Sequence, residues 1–322
     1  MNRRAHILVV GSFAVGLTMK SDRFPATGET VLGSGYRCDH GGKGSNQAVG
    51  CARLGAKVSF VARIGRDPFG ETALRLYREE GVDATSVKQI AERPTGVGFI
   101  LVKPGSGENC IALDPGANDL LTAADVAESD AELASADVVL TQLEIPAGAA
   151  EAALIRGRGH GAITILNPAP ARPLHPAALQ NVDILTPNEA EAKVLLGHRP
   201  EVGIDPPQLA RELLRLGPRN AVVTLGERGA FLATPTWEKG IPAIKVPAVD
   251  TTGAGDAFNA GLAVALAHGA ELEAAVNFAV ITGGLAVTKD GVVPALPRWD
   301  EVLAYCEQSG LPMPDWLNRE KR

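Results

Sequence analysis

The chain has 322 residues, of which 45% are hydrophobic and 21% charged, a composition typical of globular proteins and unlike that of disordered or fibrous ones. Its 31 Lys and Arg residues against 37 Asp and Glu residues give a net charge of −6 with no run of like charges, which argues against a nucleic-acid or membrane partner. The four cysteines lie far apart, so we predict neither a zinc site nor a disulfide framework, and we expect a cytoplasmic protein. The 36 glycines, with only 4% aromatic residues, indicate many tight turns, as in nucleotide-handling α/β proteins.

Short apolar runs alternate with amphipathic or Ala-rich stretches along most of the chain. The predicted strands are residues 7–10, 58–62, 138–140, 163–166, 184–186 and 221–225. The predicted helices are residues 45–54, 69–80, 147–156, 189–196 and 207–216. Because the strand runs are continuously apolar, we expect a mostly parallel central sheet covered by helices on both faces, which is an α/β three-layer αβα sandwich. We expect a single domain over residues 1–322.

Two regions, approximately 17–39 and 95–114, break this alternation. The second contains the apolar runs 97–102 and 109–113, joined through Gly105-Ser106-Gly107, which predicts a β-hairpin. Strands inserted early in an α/β chain predict a small β-sheet that stands off the main layer as a lid. Residues 255–288 are nearly all helix formers, and we expect two helices divided near Gly269.

The segment VDTTGAGDAFN (249–259) is the strongest chemical signal. Its small residues Gly253, Ala254 and Gly255 lead directly into a long Ala-rich helix. Backbone N–H groups at a helix N-terminus, together with the positive end of the helix dipole, form a natural anion site. Beside a phosphoryl group, Asp256 could take the proton from an attacking hydroxyl while these N–H groups hold the developing charge. The alternative is that Asp256 is only a favourable charge in the first helical turn.

The segment GGKGSNQAV (41–49) is the second signal. Gly41 and Gly42 before a helix allow the backbone to approach a ligand, and Lys43 and Asn46 offer donors suited to hydroxyl groups. The alternative is a strand-to-helix turn in which Ser45 or Asn46 caps the helix.

Together the two segments resemble the signatures of the PfkB carbohydrate kinase family, and the likeness is greatest to the ribokinases. It extends over nearly the whole chain, in order, through VVGS (9–12), PATGET (25–30), GRDPFG (65–70), GAN (116–118), NPAPA (167–171), TPNE (186–189) and TLG (224–226). The resemblance implies a ribokinase-like fold, ATP-dependent phosphorylation of a primary hydroxyl of a small sugar, and a homodimer joined through the lids.

The resemblance also implies roles for individual residues. Asp256 would be the catalytic base, with the anion hole at Gly253, Ala254 and Gly255. Asn188 and Glu191 match the element that arranges Mg²⁺ and phosphate, although on their own they fit a helix cap and a surface charge equally well. The loop under the ATP phosphates matches Thr224, Gly226 and Gly229.

The remaining implied residues belong to the sugar and to a monovalent cation. The sugar's hydroxyls would be held at Gly41, Gly42, Lys43, Asn46 and Glu144. The residues around a K⁺ ion, contributing mostly backbone carbonyls, would be Asp250, Thr252, Ala286, Lys289, Gly291 and Ala295. Ribokinases usually carry a hydroxyl residue at the position of Ala295, so the set of ligands around the cation departs from the family pattern there.

The sharpest departure lies just after the first strand. Ribokinases place an Asn and then an Asp against the sugar at positions where this chain has Ala14 and Gly16. Two polar contacts are therefore missing, and buried hydrogen bonds of this kind discriminate strongly among substrates. We expect an intact phosphoryl-transfer site with an altered sugar pocket, and ribose as a poor substrate.

Two other functions fit parts of the sequence. A nucleoside kinase of the same family would need apolar lid residues against a base, for which Phe13, Met19 and Phe99 are available, although each also fits lid packing. A non-catalytic sugar or nucleotide sensor would not need Asp256 or the Asn188–Glu191 pair, so their presence argues against it.

Overall fold

The computed structural model describes residues 4–105 and 108–311. The strands in chain order are β1 (His6–Val10), β2 (Ala14–Lys20), β3 (Ser34–Gly41), β4 (Lys57–Gly65), β5 (Val87–Ile90), β6 (Gly96–Val102), β7 (Asn109–Asp114), β8 (Val138–Thr141), β9 (Ile163–Leu166), β10 (Ile184–Leu185), β11 (Asn220–Thr224), β12 (Ala230–Ala233) and β13 (Glu238–Ile241). The helices are α1 (Lys43–Arg53), α2 (Pro68–Glu80), α3 (Ala123–Glu128), α4 (Asp130–Ser135), α5 (Ala147–Gly159), α6 (Pro176–Leu179), α7 (Glu189–Leu195), α8 (Pro206–Leu214), α9 (Ala254–Ala267), α10 (Leu272–Ala286) and α11 (Trp299–Ser309).

The main sheet has the strand order β13-β12-β11-β10-β9-β8-β1-β4-β5 over the described residues. Neighbouring strands run parallel from β11 through β5, whereas β12 and β13 are antiparallel to their neighbours. The expected mostly parallel sheet is therefore confirmed.

Successive residues of β1 enter two different hydrophobic cores. Ile7 and Val9 pack in the core shared with α1, α2, α9 and α10, while Leu8 and Val10 pack in the core shared with α3, α5 and α8. Since side chains alternate across a strand, a sheet covered on both faces needs apolar residues at every position. This explains the continuous apolar runs and confirms the three-layer sandwich.

The smaller sheet has the order β3-β2-β6-β7 among the described residues, with β2 and β6 parallel and the outer pairs antiparallel. We call these four strands the lid. The predicted hairpin is formed by β6 and β7, although Ser106 and Gly107 lie outside the described residues. The lid begins at Ala14, three residues before the predicted boundary, because Asn118 exchanges two hydrogen bonds with the backbone of Phe13 (3.0 and 2.7 Å) and fixes the start of β2.

The two long helices near the C-terminal end divide as predicted. α9 ends at Ala267 and α10 begins at Leu272, with Gly269 between them at φ 77°. No helix in the described part of the chain combines the length and the apolar character needed to cross a membrane.

Candidate active site

The carboxyl ends of the parallel strands bring most of the predicted site together. β1, β8, β9, β10 and β11 all end at the same edge of the main sheet, and α9 begins beside it. The segments that follow these strands carry Ser12, Glu144, Asn167, Asn188 and Gly226. Open α/β sheets bind ligands at this edge, so the strand order itself positions the site.

Asp256 lies in the first turn of α9 and is 6% exposed. Its carboxylate accepts hydrogen bonds from two amides of α1, Asn46 Nδ2 to Oδ2 at 2.8 Å and Gln47 Nε2 to Oδ1 at 3.0 Å. Burial raises the pKa of Asp256 above its ordinary value, against the opposing effects of the Lys43 ammonium and the two amides. The result is a buried carboxylate held in a fixed orientation.

The turn before Asp256 requires glycine. Gly253 caps α9 in the left-handed region with φ 81°, and a Cβ atom there would lie 2.7 Å from Cγ1 of Val292. The Ala254 N–H donates to the carbonyl of Thr251 at 3.3 Å, whereas the N–H groups of Gly253 and Gly255 on either side of it are available to an anion.

A cavity of about 160 Å³ lies in front of this helix end. Its walls include seven of the residues singled out from the sequence, Lys43, Asn188, Glu191, Thr224, Gly253, Gly255 and Asp256. Burial lowers the pKa of the Lys43 ammonium, but the carboxylates of Asp256, Glu144 and Glu191 raise it, and the net pKa is above the ordinary value. A positively charged side chain and a helix N-terminus thus face one small cavity, which suits a phosphoryl group.

Asn188 and Glu191 form a helix cap and also line the small cavity. Asn188 is the N-cap of α7, and the two residues form a reciprocal capping box: the Glu191 N–H donates to Asn188 Oδ1 at 2.8 Å, and the Asn188 N–H donates to Glu191 Oε2 at 2.9 Å. Both also line the small cavity, where burial raises the pKa of Glu191. Glu191 is half-buried, and its role at the phosphate stays a prediction.

A second cavity of about 580 Å³ adjoins the first and shares Asn188, Thr224 and Gly255 with it. Gly226 and Gly229 lie in its wall, as expected for a loop under a nucleotide. Its far end is apolar, with Ile244, Val246, Phe258, Val280 and Val287. This apolar end could not be predicted from the sequence, because its members come from three separate segments and look like ordinary core residues.

The glycine pair and Glu144 together fix the start of α1. Gly42 has φ 88°, and a Cβ atom there would lie 2.6 Å from the Cα of Phe13. The turn before α1 therefore packs directly against the segment that follows β1. Glu144 Oε2 accepts hydrogen bonds from the Lys43 N–H at 2.8 Å and from Ser12 Oγ at 2.6 Å. Asn46 Oδ1 is buried and has no hydrogen-bond partner within the described residues, which leaves one acceptor for a ligand hydroxyl.

The loops expected around the cation also meet. The N–H groups of Val249 and Asp250 both donate to the carbonyl of Val287, at 2.7 and 3.2 Å, and Asp250 Oδ2 accepts from the Gly291 N–H at 3.1 Å. The remaining predicted residues occupy the same two segments and the turn after them: Thr252, whose N–H and hydroxyl both donate to Asp250, Ala286, Lys289 and Ala295.

The Lys289 ammonium pairs with Glu301, and because an ammonium cannot coordinate a cation, Lys289 could contribute only its backbone carbonyl. Residues 4–105 and 108–311 contain no group of three or more His, Cys, Asp or Glu side chains arranged as a metal site.

Ala14 and Gly16 both lie on the lid strand β2. In the sheet register Gly16 is directly opposite Asp39 of β3 on one side and Gly98 of β6 on the other. A Cβ atom at Gly16 would meet only Ile100 Cδ1 at 3.5 Å and the Asp39 carbonyl at 3.9 Å, both ordinary contacts. The lid therefore has open space where ribokinases carry a carboxylate. The neighbouring acid, Asp39, was not predicted from the sequence as part of the site.

The comparisons with known proteins agree with this geometry. Residues 4–299 match the pfkB family carbohydrate kinases. The chain is 36% identical to a ribokinase from Haemophilus influenzae (95% of this chain, 100% of the relative) and 34% identical to a deoxyribokinase from Salmonella typhimurium (94% and 99%). It also superposes on a ribokinase from Arabidopsis thaliana solved with ribose and ATP, with a TM-score of 0.86 and 29% identity over 94% of this chain and 98% of that one. The chain therefore belongs to the pfkB family of carbohydrate kinases and is an ATP-dependent carbohydrate kinase.

Proposed function

We propose that the protein transfers the γ-phosphoryl group of ATP to a primary hydroxyl of a small sugar, with Asp256 as the general base. The observation that carries this proposal is the buried Asp256 carboxylate at the N-terminus of α9, facing a small cavity that opens into a larger, partly apolar one. That arrangement supports an acceptor hydroxyl near Asp256, phosphates in the small cavity and the adenine in the larger one.

The step follows from these positions. Asp256 takes the proton of the acceptor hydroxyl as its oxygen attacks the γ-phosphorus, and the bond from that phosphorus to the bridging oxygen of ADP breaks. The N–H groups of Gly253 and Gly255 and the Lys43 ammonium stabilise the negative charge that spreads over the transferring phosphoryl oxygens. The products are the sugar phosphate, ADP and a proton on Asp256.

The residues present fit a Mg²⁺ ion bound with the nucleotide. Mg²⁺ is typically held by one or two carboxylates with phosphates and water, and Glu191 faces the small cavity while its Oε1 is free of the capping box. Glu191 and Asn188 would hold the hydrated ion, which when bound neutralises phosphate charge.

The loops around residues 249–252 and 286–295 fit a K⁺ ion. The groups that would coordinate the ion are backbone carbonyl oxygens and the Asp250 carboxylate, which are suitable ligands for a monovalent cation. The cation would fix the turn that leads into Gly253, so it would act on the anion hole and not on the sugar.

The lid supports a homodimer. Tyr36 and Phe99, on one face of the lid sheet, are 62% and 58% exposed, and Ile111 and Leu113, on the opposite face, are 58% and 59% exposed. The outer strands β3 and β7 also leave sheet edges without a partner strand among the described residues. A second lid packed on the face that carries Tyr36 and Phe99 would cover the apolar surface there, and sedimentation analysis of the wild type and of Phe99→Lys tests the pairing.

The decisive experiment is a coupled ADP-release assay across pentoses, hexoses, deoxysugars and nucleosides. The proposal expects acceptor-dependent ADP release with at least one sugar and its loss in Asp256→Asn. Release with nucleosides alone would identify a nucleoside kinase, and no release with any acceptor would contradict the proposed function.

A further inference from the structure

Two fully buried glutamines connect Asp256 to the interior of the main domain. Gln142 follows β8 and donates from Nε2 to Gln47 Oε1 at 2.6 Å. Gln47, on α1, donates in turn from Nε2 to Asp256 Oδ1 at 3.0 Å and to Asn167 Oδ1 at 3.1 Å. Asn167 Nδ2 donates to the carbonyl of Thr186 at 3.0 Å, which ends the chain of hydrogen bonds.

The donor and the acceptor in each of these hydrogen bonds are determined by the groups at the two ends of the series, Asp256 and the Thr186 carbonyl. An ionised Asp256 carboxylate only accepts, so the side of Gln47 that faces it is the NH₂ group. Gln47 Oε1 then faces Gln142, which has to donate. At the other end the Thr186 carbonyl also only accepts, which turns the oxygen of Asn167 towards Gln47.

Neither glutamine touches the ligand space. Both are 0% exposed, and in the described part of the chain neither belongs to the walls of the two cavities. The structure also makes room for Gln142, because a Cβ atom at Gly11 would collide with its Oε1. A change at either glutamine therefore reaches the ligand space only through the hydrogen-bond partners of Gln47, which are the base Asp256 and the cavity residue Asn167.

From this geometry we infer that Gln47 is a positioning residue for the base and that Gln142 fixes the orientation of its amide. The pair holds Asp256 Oδ1 in place, and the Gln47 amide favours the charged carboxylate over the protonated one. The inference rests on the proposed function, since it assigns a role relative to the base of that reaction.

The charges around Asp256 determine the sign of the expected effect. Burial and the Glu144 carboxylate raise its pKa, the Lys43 ammonium and the amides of Asn46 and Gln47 lower it, and Glu191 is a further carboxylate nearby. Removing the Gln47 donor therefore raises the pKa of Asp256. Because the base acts in its unprotonated form, the acid limb of kcat/KM then moves to higher pH.

The test is the pH dependence of kcat/KM in Gln47→Met, Gln142→Met and a matched control, Tyr77→Phe. Tyr77 donates a buried hydrogen bond to Ser45 of the same helix α1 at 3.2 Å, without a link to Asp256. We expect the acid limb to rise by about one pH unit in Gln47→Met and by less in Gln142→Met, with the KM for ATP unchanged. In Tyr77→Phe the melting temperature should fall and the limb should stay in place.

A limb that stays at the wild-type pH in both methionine variants, with only their melting temperatures lowered, would overturn the inference and leave the glutamines as core packing. If Gln47→Met does not fold, the shift in Gln142→Met alone decides. If the wild type releases no ADP with any acceptor, the proposed function fails. If the wild type is active and its pH profile has an acid limb, the methionine variants test this inference alone.

Discussion

Arg37 on lid strand β3 donates from Nη1 to Asp290 Oδ2 at 2.6 Å, which ties the lid to the loop after α10. The adjacent Gly291 is bonded to Asp250, so this link ends beside the proposed cation site. Asp39, two residues further along, lies on the same face of β3 as Arg37. Both partners are exposed, so the ion pair contributes at most about 1 kcal/mol and leaves the lid free to open.

The lid should close when the acceptor binds, because closure excludes water and so suppresses ATP hydrolysis. We expect hydrogen exchange in β2, β3, β6 and β7 to slow when an acceptor identified by the ADP assay is added. The control is α5, which packs on the face of the main sheet opposite to α1 and α9, and its hydrogen exchange should not change. Unchanged exchange in the lid would mean that it is a fixed element, such as a permanent dimer contact.

Replacing Asp256 with Asn should separate the base from the other functions of its position. The amide keeps the shape of the side chain but cannot accept the hydroxyl proton, so kcat should fall by about 10²-fold or more. ATP affinity, measured by calorimetry, should stay close to that of the wild type because the larger cavity proposed to hold the adenine does not include Asp256 in its walls. Turnover within a few-fold of the wild type would reduce Asp256 to a favourable charge in the first turn of α9.

K⁺ should activate the enzyme relative to Na⁺ at matched ionic strength. The ion would hold the loops of Asp250 and Gly291 together and thereby fix the turn at Gly253. The measurement is the initial rate of ADP release in each salt at saturating substrates. Because Ala295 offers no hydroxyl, we expect activation of a few-fold, and equal rates in the two salts would argue against the site.

The sequence predicted the main sheet and its helices well because their periodicity is a local property. It predicted the position of Asp256 at the start of a helix because the glycine turn precedes it directly. It did not predict where the lid begins, since Asn118 holds Phe13 from 105 positions away. The apolar end of the larger cavity was missed for a similar reason: only the fold brings Ile244 and Val280 together. The organisation of residues 1–322 as a single domain stays a prediction.

Asp39 and Gly16 are directly opposite each other in the antiparallel pair of β2 and β3, and this pairing bears on the substrate. Ribokinases carry an Asp where this chain has Gly16 and an Asn where it has Ala14. Each missing hydrogen bond costs about 0.5–1.5 kcal/mol, and more where a buried hydroxyl of the sugar is left unpaired. Two such losses predict a penalty of about ten-fold to a thousand-fold in kcat/KM for ribose, so we expect ribose to be a poor substrate.

Restoring both residues should recover ribose phosphorylation, and the structure indicates how to do it. A Cβ atom at position 16 fits without collision, but a carboxylate there would face Asp39 across the strand pair, and directly opposed like charges repel. We therefore expect Ala14→Asn with Gly16→Asp to raise kcat/KM for ribose by about ten-fold, and the same pair combined with Asp39→Asn to raise it further. Asp39→Asn alone is the control and should leave ribose a poor substrate. A kcat/KM for ribose of about 10⁴ M⁻¹s⁻¹ or more in the unmodified protein would contradict the prediction, because it would mean that other groups already replace the two lost contacts.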